Sequence, residues 1–241
     1  MLSPLRKVRY VAPLLAGLAL SCAGPAPDVA QAPEASVKPG INESYLDPEL
    51  DVDAMVARFE VESREIAAHR DAIVAAVGIE PGDDLADIGA GTGLFLAPFA
   101  SAVGARGSLF AVEIAQPFVE HLTERARNEG FENVEAVLCA EDAVNLPAGS
   151  IDIAFVCDTY HHFEYPRSTT TSIHAALRPG GELFIVDFER IPGVSRDWIL
   201  GHVRAGKQTV IEEVTSYGFE LVEEVDVAGL EENYSLRFRR R

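Results

Sequence analysis

Three glycines at alternate positions follow an acidic residue in the segment 87–93, which reads Asp-Ile-Gly-Ala-Gly-Thr-Gly. Glycine lets the backbone turn sharply and lie close to a ligand, because no Cβ blocks the approach. The spacing departs from the dinucleotide fingerprint G-x-G-x-x-G, since Leu94 stands where that pattern has its third glycine. The segment therefore predicts a turn whose backbone binds a nucleotide-like ligand.

Carboxylates follow three further strand-like segments. Glu113 lies twenty residues beyond Gly93, where an acid can accept hydrogen bonds from both hydroxyls of a ribose. Asp142 comes directly after the third segment, and Asp158 ends the fourth. One such acid alone is more often a solvated strand end, but an ordered set beside a glycine turn indicates a ligand site.

The segments that position these residues alternate between short β-branched runs and longer stretches of helical periodicity. The predicted strands are 84–89, 108–114, 134–140, 151–158, 182–188, 219–227 and 234–240, and the predicted helices are 53–77, 94–103, 116–129, 167–178 and 206–217. Strands separated by such helices form parallel βαβ units, whereas the short link 228–233 requires an antiparallel closing pair. We therefore predict a doubly wound, seven-stranded, mostly parallel α/β sheet with an antiparallel last strand. Ligands bind at the carboxyl ends of strands in such sheets.

Five motifs, in order on these elements, resemble the class I S-adenosylmethionine-dependent methyltransferases over about residues 55–241. They are the glycine turn, Glu113, Asp142, the strand 151–158 and the segment 177–183. The resemblance implies a Rossmann-like methyltransferase fold, S-adenosyl-L-methionine as the cofactor and a small-molecule methyl acceptor. It implies that Asp142 accepts from the adenine amino group and that the next backbone N–H meets the ring. The cofactor-binding residues that it implies are Asp87, Gly89, Ala90, Gly91, Gly93, Glu113, Ile114, Asp142, Ala143 and Asp158.

A pair of histidines follows the fourth strand, at positions that face the methyl acceptor in the family that the chain resembles. Histidine can take a proton near neutral pH, so His161 and His162 are the candidate bases for an acceptor that must lose a proton. One of the two could instead pack against or cap the next helix, and the neighbouring aromatic residues could line an acceptor pocket. The loop 189–205 is longer than most connections and carries Arg190, Trp198, His202 and Arg204, so it is expected to shape that pocket.

Two other readings of the motifs stay open. The chain could be a non-catalytic, membrane-tethered lipoprotein that keeps the fold as a ligand-binding or interaction module. It could also be a dehydrogenase, which Leu94 disfavours. The complete set of glycines and acids favours the methyltransferase, because such a set serves a nucleotide ligand.

We predict no metal site and no disulfide. No Cys or His spacing is typical of a metal site, and the adjacent His161 and His162 are expected to point apart. In the family's strand order, Cys139 and Cys157 lie roughly 14 Å apart, at about 4.8 Å per strand. A disulfide needs Cα atoms within about 7 Å, so the two thiols are predicted to be free.

Composition excludes several classes of protein. The chain has 241 residues, 20 Lys and Arg against 38 Asp and Glu, and a net charge of −18. Nucleic acid is not expected as a partner, because phosphate binding needs a basic surface. No apolar run reaches 18 residues, which argues against a multi-spanning membrane protein. The charge favours a monomer or a weak oligomer.

The N-terminal segment has the layout of a secretory signal. Basic residues precede the short apolar run 11–20, and the sequence Leu-Ala-Leu-Ser-Cys ending at Cys22 resembles a bacterial lipoprotein signal. We therefore expect a signal peptide at 1–21, an Ala/Pro-rich tether at 22–44 and the methyltransferase domain at 45–241. An exported protein lipid-anchored on the periplasmic side is expected, or a cytoplasmic one if the signal is not used. Export conflicts with the use of S-adenosyl-L-methionine, because this charged cofactor is made in the cytosol and does not cross bilayers freely.

Overall fold

The computed structural model describes residues 33–62 and 64–241. Within this part, a sheet of seven strands has the order β3-β2-β1-β4-β5-β7-β6. The strands are β1 Asp84–Ile88, β2 Ser108–Glu113, β3 Val134–Leu138, β4 Ile151–Cys157, β5 Leu177–Phe188, β6 Phe219–Glu224 and β7 Asn233–Arg240. Strands β1 to β5 are parallel, and β7 lies antiparallel between β5 and β6. The predicted fold class is confirmed, including the antiparallel end.

Three helices precede β1 along the chain, and the others lie between strands. The helices are α1 Val52–Glu62, α2 Arg64–Ala68, α3 Arg70–Val77, α4 Leu96–Val103, α5 Gln116–Glu129, α6 Pro166–Ala176, α7 Asp197–His202 and α8 Lys207–Ser216, with short 3-10 turns at Gly104–Arg106 and Tyr160–His162. The helix predicted over 53–77 is interrupted at His69, which lies outside helical geometry at φ −111° and ψ 18°; residue 63 is not among the described residues. The carboxylate of Glu65 on α2 accepts backbone N–H groups from residues 231–233.

The register of the parallel strands determines where the site residues meet. Ile88 of β1 is paired with Val112 of β2 on one side and with Val156 of β4 on the other. The residues that follow these three positions therefore emerge at the same edge of the sheet. Two apolar clusters, one on each face, hold the strands in this register and include Tyr160 and Phe155 among their buried members.

The compact unit begins at Glu34, earlier than the predicted boundary at residue 45. The carboxylate of Glu34 accepts the backbone N–H groups of Arg167 and Ser168 at 3.0 and 2.7 Å, at the start of α6. The backbone N–H of Val37 donates to the carbonyl of Glu164. Composition alone cannot reveal these polar contacts. The predicted signal peptide at 1–21 and the tether as far as residue 32 lie outside the described residues.

Two further expectations concern the membrane and the cysteines. Among the described residues, no helix has both the length and the hydrophobicity needed to cross a bilayer. Cys139 and Cys157 are free thiols. Cys139 follows β3 and Cys157 lies in β4. Strands β2 and β1 lie between these two strands, as predicted from the expected strand order.

Candidate active site

A cleft of about 520 Å³ opens at the carboxyl edge of the sheet, around the ends of β1 and β4. Its lining contains eight of the residues predicted for the site: Asp87, Gly89, Ala90, Gly91, Ile114, Asp158, His161 and His162. A smaller cavity of about 60 Å³ shares Gly89, Ile114 and His162 with it and adds Glu113 and Ala143. The topology thus brings motifs from β1, β2, β3 and β4 to one continuous region.

The glycine turn is shaped so that its backbone faces this region. Gly89 and Gly91 have φ of +77° and +53°, in the left-handed range that glycine adopts without strain. A Cβ on Gly89 would lie 2.3 Å from the Cγ2 atom of Thr159, which leaves no space for a side chain. A Cβ on Gly91 would meet only the ring of Phe59 at 3.4 Å, so a side chain there would enter the cleft. This open backbone fits a ligand that binds to main-chain atoms.

The side chain of Glu113 fixes the conformation of the glycine turn through hydrogen bonds. Its buried carboxylate accepts the N–H of Gly91 at 2.9 Å and those of Ile114 and Ala115 at 2.7 and 3.2 Å. Burial raises the pKa of Glu113, and these three hydrogen bonds oppose the rise. The carboxylate therefore organises the turn as well as standing where a ribose was expected.

Asp87 lies at the end of β1 with only 3% of its surface exposed. Burial, followed by the neighbouring charge of Glu113, raises the pKa of Asp87 to about 7. A buried carboxyl beside a second carboxyl is stabilised by a positive charge, because opposite charge favours its ionised form. Asp87 thus gives the cleft a preference for a cationic ligand group.

Three other predicted cofactor residues differ in their placement. Asp158 lines the cleft with φ +47°, and the side-chain amide of Asn233 donates to its carboxylate at 3.0 Å. Asp142 is exposed and borders neither cavity. Gly93 also borders neither cavity; a Cβ there would lie 2.9 Å from Leu122 of α5, so this glycine serves helix packing.

His161 is held rigidly at the other end of the cleft. Its Nδ1 lies 2.7 Å from Oδ1 of Asp187, and its backbone N–H donates to Oδ2 at 3.0 Å. Both residues are almost completely buried, at 2% and 1% exposure. Because a carboxylate only accepts hydrogen bonds, Nδ1 carries the proton and Nε2 is left with a lone pair.

The expectation that the adjacent histidines point apart is wrong. The ring centroids of His161 and His162 are 4.4 Å apart, and the ring of His202 lies 5.2 and 5.0 Å from them. The 3-10 turn at Tyr160–His162 bends the chain so that consecutive side chains face the same region. We call these three residues the histidine cluster.

His162 is a poor base in this setting. Burial, followed by the charges of His161 and His202, lowers the pKa of His162 to about 2. Its Nδ1 lies 3.2 Å from Oδ1 of Asn42, whose Nδ2 donates to the carbonyl of His162 at 3.1 Å. The ring is therefore neutral across the physiological pH range.

Sequence reasoning missed part of this end of the cleft. Asn42 was assigned to the tether, and Asp187 lies inside a buried strand, where its contact with His161 has no sequence signal. The loop 189–205 does contribute Trp198 and His202 to the lining, as expected of it. In contrast, Arg204 points to Glu213, with which it forms an ion pair at 3.0 Å.

Known proteins match the central part of the chain. Residues 86–185 match the family described as a methyltransferase domain. Nocamycin O-methyltransferase of Saccharothrix syringae is 31% identical over 126 residues, which are 52% of this chain and 45% of that protein. The ubiquinone/menaquinone biosynthesis C-methyltransferase UbiE of Hydrogenovibrio crunogenus is 27% identical over 115 residues, 47% of this chain and 45% of that protein. The chain thus spans about half the length of the curated relatives that it matches.

Solved structures agree on the fold. A S-adenosylmethionine-dependent methyltransferase from Aquifex aeolicus superposes with a TM-score of 0.69 at 19% identity, covering 80% of this chain and 100% of that one. The cofactor that the domain match and this fold indicate is S-adenosyl-L-methionine. Residues 86–185 therefore match a methyltransferase domain, and the sheet has the Rossmann-like fold seen in the S-adenosylmethionine-dependent methyltransferase of known structure.

Proposed function

We propose that the chain transfers a methyl group from S-adenosyl-L-methionine to a small-molecule acceptor. The observation that carries the proposal is the glycine turn, whose backbone at Gly89 and Gly91 is open to the large cleft. Buried acids surround this turn, and the histidine cluster stands at the other side of the same cleft. The arrangement fits a cationic nucleoside ligand at one end and a second small molecule at the other.

Different residues of the chain bind different parts of the cofactor in this proposal. The glycine turn and Asp158 border the main cleft, while Ile114 and Ala143 border the smaller cavity next to Glu113, where the nucleoside end fits. Asp87 supplies negative charge for the positively charged part. When bound, the cofactor supplies a methyl group on a positively charged sulfur, so the protein needs mainly to orient the reactants and exclude water.

His161 is the residue that we assign as the base for an acceptor that must lose a proton. Its Nδ1–H is directed at Asp187, which leaves Nε2 with the lone pair that a general base needs. His162, the second candidate, is disfavoured because its pKa is lowered to about 2. Asp187 acts as a positioning residue, since it determines which ring nitrogen carries the proton.

The acceptor is proposed only as a small molecule. The relatives named above methylate through oxygen in one case and carbon in the other, as their names state. The large cleft has room for such a molecule beside the nucleoside end, and its aromatic lining at Tyr45, Phe59 and Trp198 suits an apolar or aromatic group.

The alternatives are less well supported. A non-catalytic binding module would need neither the rigid His161–Asp187 pair nor a cleft with two chemically distinct ends. A dehydrogenase remains disfavoured because Leu94 occupies the place of the third glycine in the dinucleotide fingerprint.

Export and lipid anchoring at Cys22 remain part of the proposal for the whole chain. The support is the sequence alone, with its basic start, short apolar run and the cysteine that follows. We propose that the protein contacts the membrane through this N-terminal segment. The exported enzyme then requires a supply of S-adenosyl-L-methionine outside the cytosol.

The activity is tested by following the S-adenosylhomocysteine that forms when the full chain is incubated with S-adenosyl-L-methionine and a panel of small hydroxyl, thiol and amine compounds. We expect turnover with at least one compound. For that compound, His161→Ala should lower kcat by about 10²- to 10⁴-fold, the usual worth of a positioned base. An unchanged rate in the double variant His161→Ala, His162→Ala would remove the base assignment and leave methyl transfer standing.

A further inference from the structure

We propose that the histidine cluster, His161, His162 and His202, binds one divalent transition-metal ion of the Zn²⁺ type at the acceptor end of the cleft. The inference rests on the proposed function, because it assigns this site to the methyl acceptor. It replaces the expectation of no metal, which depended on histidine side chains that point apart.

The spacing of the ring nitrogens fits one ion. One nitrogen of each histidine lies within 4.8 Å of the corresponding atoms of the other two. The Nε2 atoms of His162 and His202 are 3.2 Å apart. Tetrahedral Zn²⁺ with Zn–N bonds of about 2.0–2.1 Å requires ligand nitrogens about 3.3 Å apart. The pair already has this separation, and the ligand nitrogen of His161 lies within 4.8 Å of both.

Hydrogen bonds at the far side of two rings direct their lone pairs into the cluster. Asp187 binds Nδ1 of His161, and Oδ1 of Asn42 binds Nδ1 of His162. The orientation of the Asn42 amide is fixed, because its Nδ2 donates to the carbonyl of His162. Both acceptors hold the proton on Nδ1, so both Nε2 atoms present lone pairs to the same region. Outer hydrogen bonds of this kind are typical of histidines that ligate metals.

Aromatic contacts hold the other parts of the cluster in place. Trp198 stacks on His202 with centroids 4.9 Å apart and an interplanar angle of 19°. Tyr45 contacts the ring of His162 edge-on at 5.4 Å. The three histidines all line the large cleft, so a metal ion that they hold has its remaining position open to that space. Three protein ligands with one open position are typical of catalytic rather than structural zinc.

The charges around the cluster indicate what occupies the open position. Lys38 places positive charge beside the cluster, because its ammonium group donates to the backbone carbonyl of His202. A positive neighbour opposes a bare dication and favours one that carries an anionic fourth ligand. A metal ion lowers the pKa of a hydroxyl or thiol that it binds. The site therefore fits an acceptor with an ionisable oxygen or sulfur, whose proton leaves to solvent on binding. In the metal-bound form His161 is a ligand, and the base role assigned to it above belongs to the metal-free protein.

Cobalt is the probe for this site, since Co²⁺ in a tetrahedral nitrogen site absorbs visible light. The full chain, freed of metal by a chelator, is titrated with Co²⁺ and then with Zn²⁺. We expect one Co²⁺ per chain and displacement by Zn²⁺. His202→Ala should abolish the visible band, and Asp187→Asn should weaken binding by about 10- to 100-fold. His174→Ala is the matched control, because His174 lies on α6 and borders neither cavity.

Two results would overturn the inference: no stoichiometric Co²⁺ binding by the folded chain, or binding that survives in both His202→Ala and His202→Asn. Circular dichroism establishes that each variant is folded, and the conservative His202→Asn replaces the alanine variant if that one unfolds. Calorimetric binding of S-adenosyl-L-methionine to the same samples separates the two proposals. Cofactor binding without metal binding removes the metal site alone, whereas metal binding without cofactor binding contradicts the proposed function.

Discussion

Asp87 is the residue whose ionisation the fold controls most strongly. An aspartate in an unfolded chain has a pKa near 3.9, and burial together with Glu113 raises the pKa of Asp87 to about 7. Between these values the folded protein holds a proton that the unfolded chain has released. Stability from this group is therefore present below about pH 4 and is lost as the pH rises to about 7.

Asp87→Asn is expected to remove the loss of stability at rising pH, because the amide has no charge to bury. The variant's free energy of unfolding minus that of the wild type should be larger at pH 8 than at pH 4, by about 4 kcal/mol at most. Urea denaturation at the two pH values measures the change. Asp142→Asn, at an exposed carboxyl, is the control and should follow the wild type. Identical pH profiles for wild type and Asp87→Asn would contradict the account of this carboxyl.

Residue types and spacing pointed to the residues around the glycine turn more clearly than to those around the histidine cluster. The glycine turn and Glu113 were recognisable because they follow predicted strands at fixed separations. Asn42 and Asp187 carried no such signal, since each acts through hydrogen bonds to a histidine that is distant in the sequence. Gly93 was assigned to the cofactor by its motif, yet its close contact is with Leu122 of a packed helix.

At the level of elements, the start of α6 depends on a residue from well outside the predicted domain. Glu34 accepts two backbone N–H groups there, as a capping side chain does at a helix N-terminus. The same helix follows directly on the segment that carries the histidine cluster's first two members. The described end of the predicted tether is thus part of the folded unit.

Glu34→Ala should lower the free energy of unfolding by about 1–2 kcal/mol, the usual cost of losing a helix cap. Glu43→Ala, which removes an exposed carboxylate a few residues further on, is the matched control and should have almost no effect. Chemical denaturation of the full chain compares the two. Equal stability for both variants would show that the hydrogen bonds of Glu34 do not stabilise the start of α6.

The sheet could be predicted from the sequence because β-branched runs and helical stretches alternate so regularly. All seven strands lie where they were expected to within a few residues, apart from an earlier start of β5. The division of the first helix at His69 and the short α7 could not be predicted. The short α7 depends on a tertiary contact, that of Ile199 with Phe188.

At the scale of the whole molecule, the proposed lipid anchor at Cys22 lies outside the described residues and is tested by labelling. If Cys22 is lipidated, labelled palmitate supplied to a bacterium that expresses the full chain should enter the protein and bring it into the membrane fraction. Cys22→Ser should abolish the label, while Cys139→Ser, at a thiol of the folded unit, should retain it. Label-free protein in the soluble fraction would contradict the lipoprotein proposal and leave the active site unaffected.

Calorimetric titration of S-adenosyl-L-methionine into the full chain tests whether the glycine turn binds this cofactor. Two variants carry alanine in left-handed backbone: Gly91→Ala, whose Cβ faces the cleft, and Gly130→Ala at the end of α5, where no atom lies within 4 Å of the new Cβ. We expect wild-type binding on the order of micromolar, a loss of about tenfold or more in Gly91→Ala, and unchanged affinity in Gly130→Ala. No binding by the folded wild type, or equal binding by both variants, would contradict the account.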